Sequence, residues 1–226
     1  MADLFTQFDI LAAFRTTIVL TFFSAIGSLV IGTVVAIMRV SPVRILQFLG
    51  TSYVNVFRNT PLTLLVAFCN IGLFINLGLR LADQNSPTFL VDNNMRLAIL
   101  GLSVYHAAFV CESLRSGINT VPTGQAEAAR AIGLTFTQTL RHVVMPQAFR
   151  GAIAPLGNTL IALTKNTTVV SVIGVAEASY LMADMIEQRP DVLYTTFAII
   201  ALGFVILTLP VGIVVTSLSR RLAVKR

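Results

Sequence analysis

The sequence predicts an all-α polytopic membrane protein, and three observations carry the prediction. Only 12% of its 226 residues are charged and 55% are hydrophobic, whereas a soluble domain carries about a quarter charged residues. Uncharged runs cover 16–38, 59–79 and 192–219, each long enough for the roughly 20 residues that cross a hydrocarbon core as a helix. Basic residues also gather in alternate connecting segments, the asymmetry that orients helical membrane proteins.

Five spans are expected, at about 14–38, 53–79, 96–117, 151–175 and 192–218, forming one domain over 1–226. The first is retained as an anchor. Asp3 and Asp9 precede Arg15, and the apolar run that follows is too long for a cleavable signal core. The second holds Arg58, a structural cation just ahead of a kink at Thr60-Pro61. The third ends with Glu112 and Arg115, three residues apart and most simply neutralising each other. The fourth is interrupted by Lys165 and Asn166, and the fifth is uninterrupted. Cys69 and Cys111 lie in apolar runs without CxxC spacing and read as small core residues.

An N-out, C-in arrangement places Arg39, Arg44, Arg115, Arg130, Arg141, Arg150, Arg220, Arg221, Lys225 and Arg226 inside. Arg15, Arg80, Arg96 and Arg189 fall outside, together with most acidic residues. A six-span arrangement would put one end of this pattern on the wrong side. The formal charge of +6 is therefore spent on membrane orientation, and no nucleic-acid partner is expected.

Between spans three and four lies a polar element, about 119–147, which this topology places in the cytoplasm. Residues 124–132 are rich in strong helix formers, and Glu127 can pair with Arg130. Gly133 suits a left-handed helix end. Thr135 and Gln138 have capping-box spacing, and Pro146 is placed to stop or kink the second helix. The expected product is helix, glycine elbow, helix, with Ala128, Ala129 and Ile132 available for packing.

The pattern Glu127-Ala128-Ala129, Gly133, then Val143-x-Met145-Pro146 resembles the EAA signature of permease subunits in ATP-binding-cassette importers. Val143 and Met145 replace the more usual Ile and Leu. Arg58-Asn59-Thr60-Pro61-Leu62, Glu112-Ser113-Leu114-Arg115-Ser116-Gly117-Ile118, Gly124-Gln125 and Lys165-Asn166-Thr167-Thr168 extend the resemblance to polar amino-acid permeases, with the fit closest to glutamate permease subunits. The resemblance implies that Glu127, Ala128, Ala129, Gly133 and Pro146 belong to a coupling helix docked on a cytoplasmic ATPase. It implies two ATP-binding subunits holding ATP and Mg, with no cofactor in this chain. It also implies a second, related permease subunit in a heterodimer, an extracellular solute-binding protein, and a bacterial inner or plasma membrane location.

The chain contains no GxxxxGK[ST] loop, so it is expected to be no enzyme and to draw energy from its partners by alternating access. His106 and His142 read as a packing and a surface histidine. The solute path is placed on the fourth span, where Asn158, Thr159 and Asn166 share one stripe with the small Ala162 between them. The 165–168 stretch, poor in helix formers, could break the helix there. In related permeases for basic amino acids the positions matching Thr159 and Asn166 can be acidic. Here they are neutral and Lys165 adds positive charge, which suits an anionic or polar solute. The stripe could equally serve as interhelical glue, and Lys165 could snorkel outward or pair with Glu177. The competing class is an ion-coupled secondary transporter, which needs a mid-membrane carboxylate; only Glu112 comes near. An intramembrane enzyme lacks any matched set of reactive groups.

Overall fold

The computed structural model describes residues 2–222. Lys225 and Arg226, and the side chain of Asp3, lie outside the described residues. The chain begins with a short helix α1 (Ala2–Gln7) and a long one, α2 (Ile10–Val40). Asp9 caps α2, its Oδ1 accepting from the Ala12 N–H at 2.9 Å. Next come α3 (Arg44–Asn59) and α4 (Leu62–Ala67), the latter continuing in widened turns through Phe68–Asn76. The third long helix is α5 (Phe89–Ile118), followed by α6 (Thr123–Ala131) and α7 (Phe136–Thr139). A widened turn, Leu140–Val144, leads into α8 (Met145–Asn166), which tightens over Thr167–Ile173. The chain then forms α9 (Ala178–Gln188), a tight turn Pro190–Val192 and α10 (Leu193–Leu222). No strand occurs among the described residues.

Three helices, Ile10–Val40, Phe89–Ile118 and Pro190–Leu222, are long and apolar enough to cross a membrane. The number rises to five if each of two bent pairs counts as one span. The first bend falls at the expected Thr60-Pro61 kink inside 53–79: the helices on either side meet at 103°. The cause is Pro61, which supplies no N–H and pushes Thr60 out of the helical region to φ −95, ψ 131. The second bend, 56°, separates α8 from α9.

Helix polarity alternates. Ser24 and Ser103 meet near one end of the α2–α5 contact, and Arg39 and Glu112 meet near the other, so these helices run parallel. Val66 of α4 and Cys69 of its widened continuation face Gly101, while Asn70 reaches Asn94 (2.9 Å), so this segment opposes α5. Ser113 with Thr159 and His106 with Asn166 make α8 antiparallel to α5. Gly157 lies under Val215, and Gly212 lies beside Ile161, so α10 opposes α8.

The α2–α5 pair forms the largest helix contact. Its α2 side carries Ser24, Ser28, Gly32 and Ala36, all buried and four residues apart. Such a row of small residues lets two backbones approach where no water is present to drive packing. Outward faces carry aliphatic and aromatic side chains such as Phe22, Val30, Leu202 and Ile213. Cys69 and Cys111 are buried thiols, in keeping with their core reading.

Glu177 is fully buried and caps α9, accepting from Ser179 N–H at 2.8 Å and Tyr180 N–H at 2.9 Å. It forms no pair with Lys165, which is exposed. A carboxylate positioned over free helix N–H groups needs no distant cation to stay in place. Replacing it as Glu177→Ala is expected to lower stability by about 1–2 kcal/mol, read as a fall in thermal unfolding midpoint of the detergent-solubilised protein.

Candidate translocation site and the polar helical element

Asn158, Thr159 and Asn166 line one cavity of about 260 Å3, together with Ala162 of the same helix and Tyr105, His106 and Phe109 of α5. The helical period explains the set: positions 158/159, 162 and 166 share one face of α8, and 105/106 and 109 share one face of α5. Its volume lies just below the ~300–1,000 Å3 of pockets for drug-sized ligands. Two larger grooves, of about 600 and 480 Å3, flank α10 but are lined mainly by aliphatic side chains.

No lining residue of the cavity is charged. Thr159 donates to the Pro155 carbonyl at 3.0 Å and lies 3.2 Å from the Ser113 hydroxyl, tying α8 to α5. Asn166 Nδ2 sits 3.3 Å from His106 Nε2, a second tie, while the buried Nδ1 of His106 has no partner. Tyr105, His106 and Phe109 pack as an aromatic group, with Tyr105 ring centres 5.3 and 5.2 Å from the other two. Lys165 stands off this face, exposed and outside the lining. Instead of breaking after 165, the helix narrows over Thr167–Ile173 and ends at Gly174.

Below the cavity, Glu112 pairs with Arg39 of α2 and lies 4.0 Å from Arg58 of α3. This corrects the expected Glu112–Arg115 pair, since Arg115 is exposed at the helix end. Glu112, the carboxylate that the sequence offered to an ion-coupled carrier, is thus paired with Arg39 and faces Arg58 at longer range. Arg39 is mostly buried, with 11% of its side chain exposed, against 31% for Glu112. Glu112→Ala strands that guanidinium. The expected loss is about 2–3 kcal/mol, under the ~3–5 of fully buried pairs, measurable by thermal unfolding.

The polar element folds as helix, elbow, helix. Gly133 takes φ +92 and ends α6, with its N–H on the Arg130 carbonyl and Leu134 N–H on that of Ala129. Thr135 and Gln138 form the complete capping box. Glu127, Ala128 and Ile132 face outward, whereas Ala129 is buried. Glu127 makes no ion pair with Arg130, whose Nε donates to the Ala126 carbonyl at 3.3 Å. Gln147 donates to Gln125 at 2.5 Å and fastens α8 to α6.

Pro146 does not stop the helix. It stands exposed in the first turn of α8, directly after the widened turn Leu140–Val144, and the chain stays helical from Phe136 to Ile173. A wider turn relieves the clash of the proline ring with the preceding carbonyls, and the first turn tolerates its missing N–H.

Parallel and opposed helices thus surround a small uncharged cavity, with a polar helical pair at one end. The chain belongs to the family of binding-protein-dependent transport system inner membrane components, whose profile matches residues 10–224. It is 61% identical over 96% of both chains to the glutamate transport system permease protein GluC of Corynebacterium glutamicum. It is 36% identical to the probable glutamine ABC transporter permease protein GlnM of Bacillus subtilis, over 97% of this chain and 96% of that one. A crystal structure of an amino acid ABC transporter with histidines superimposes with a TM-score of 0.78 at 29% identity, covering 94% of this chain and 93% of that one.

Proposed function

We propose that this chain is a permease subunit of an ATP-driven importer that carries polar amino acids, with glutamate as its solute. The observation that carries this reading is the neutral, hydrogen-bonding cavity of Asn158, Thr159 and Asn166 in a chain so close in sequence to a glutamate permease. A lining without carboxylates does not repel an acidic amino acid. Asn and Thr supply donors to its oxygens.

The chain crosses a bacterial inner or plasma membrane five times, N-terminus out and C-terminus in, each bent pair acting as one crossing. Alternating helix polarity and the segregation of Arg and Lys support this count. The α6–α7 element then faces the cytoplasm. Glu127, Ala128 and the elbow at Gly133 form a coupling surface for one of two ATPase subunits, which bind ATP and Mg. Ala129 holds that surface to the bundle, and Pro146 marks where it joins α8. A second, related permease completes the passage as a heterodimer, and an external binding protein delivers the solute. Lys165 contributes at most a long-range positive field, because its side chain lies off the cavity face.

The test is uptake by liposomes holding the full complex, with a panel of labelled amino acids and with or without ATP. ATP-dependent uptake of glutamate ahead of arginine and lysine is expected. Preference for the basic amino acids, or uptake by the permeases without the ATPases, would refute the proposal.

A further inference from the structure

We propose that Arg58 is the carboxylate-reading cation of the α5–α8 cavity, and that Glu112 is its resting counter-ion, exchanged for a solute carboxylate during passage. This rests on the reading of that cavity as the solute's route. A carboxylate inside a neutral, largely apolar site is unfavourable unless a positive group reaches it, and no lining residue of this cavity is positive.

The Arg39–Glu112–Arg58 cluster can supply one. It holds two cations and one anion, so it carries an excess positive charge. The two arginines are held differently. Arg39 is nearly enclosed, bonded to Glu112 Oε1 and 3.8 Å from the Cys111 sulfur. Arg58 is 47% exposed and only 4.0 Å from Oε2, a distance at which an ion pair contributes little. Its guanidinium lies 5.9 Å from the centre of the Phe109 ring, and Phe109 is a wall of the cavity.

Transfer of Arg58 to a solute leaves Glu112 still neutralised by Arg39, so the exchange strands no charge. The planar guanidinium can hold a carboxylate through two parallel bonds, which an ammonium cannot. Arg58 also lies in the last turn of α3, just before the Thr60–Pro61 bend. Solute binding would therefore release the α3 end from α5 as well as fix the solute.

An amino acid presents either its α-carboxylate or a side-chain carboxylate, and three solutes separate the two. KM values for L-glutamate, L-glutamine and isoglutamine, the α-amide of glutamate, are measured in proteoliposomes of the full complex bearing wild type, R58Q or R58K. If Arg58 reads the side chain, R58Q raises KM by about tenfold or more for glutamate and isoglutamine and leaves glutamine unchanged. If it reads the α-carboxylate, glutamate and glutamine weaken and isoglutamine does not. R58K recovers part of the loss in either case. Equal effects on all three solutes, no effect on any, or a fall in Vmax alone would overturn the assignment while leaving the transport reading intact. A wild-type complex that carries none of the three would overturn both.

Discussion

Gly117→Leu is expected to destabilise the folded bundle severely. The Cα of Gly117 sits against α8 so closely that a Cβ would collide with the carbonyl oxygen of Ala148 and lie 3.0 Å from the Ala152 Cβ. The obstacle is backbone, which has no rotamer to adopt, so the two helices must separate. Separation breaks the Ser113–Thr159 and His106–Asn166 contacts that also shape the cavity. The expected cost is about 3 kcal/mol or more, a large share of the ~5–15 kcal/mol that holds a typical native protein together. Thermal unfolding in detergent checks it, with Gly124→Ala as the control: nothing lies within 4 Å of that position. A G117L variant that melts with wild type would show that the α5–α8 crossing is looser than described.

Glu127→Arg is expected to abolish coupled uptake without unfolding the permease. Glu127 is exposed and has no ion-pair partner among the described residues, so charge reversal there should shift stability by no more than about 0.5 kcal/mol. On the proposed docking surface the same change opposes a partner built to meet an acid. Reversal of a charge in such a contact costs about 2–5 kcal/mol, enough to reduce ATP-driven uptake by at least about tenfold. Uptake and binding-protein-stimulated ATP hydrolysis are measured on the same proteoliposomes. Unchanged values for both would remove the α6–α7 element from the coupling route.

What could be read from residue order alone was whatever local pattern determines. The long helices follow from uncharged runs, the α6 elbow from Gly133, and the cap of α7 from the Thr135–Gln138 spacing. The α8 face of the cavity follows from positions 158, 159, 162 and 166 recurring at the helical period. The opposite wall was not legible. His106 alone in an apolar span looks like any buried histidine, and only the α5–α8 crossing brings it to Asn166, 60 positions away. The spacing of Tyr105, His106 and Phe109 on the same face as Glu112 and Ser113 was the available hint. Glu112 misled for the same reason: its true partners, Arg39 and Arg58, are distant in sequence, whereas Arg115 was the neighbour that helical spacing offered. Pro146, read as a stop or a kink, is not a stop, and a widened turn that lets the helix pass through it leaves no mark in composition.

That uninterrupted passage has a mechanical consequence. From Phe136 to Asn166 the chain stays helical through the widened turn, Pro146 and Pro155, a path of about 45 Å at 1.5 Å per residue. One end carries the capped start of α7, and the other carries the amide that lines the cavity. A break at Pro146 would have absorbed a small displacement as rotation about a hinge. A continuous helix instead links the proposed docking surface to the cavity, so a tilt of the polar end would swing Asn166 relative to His106.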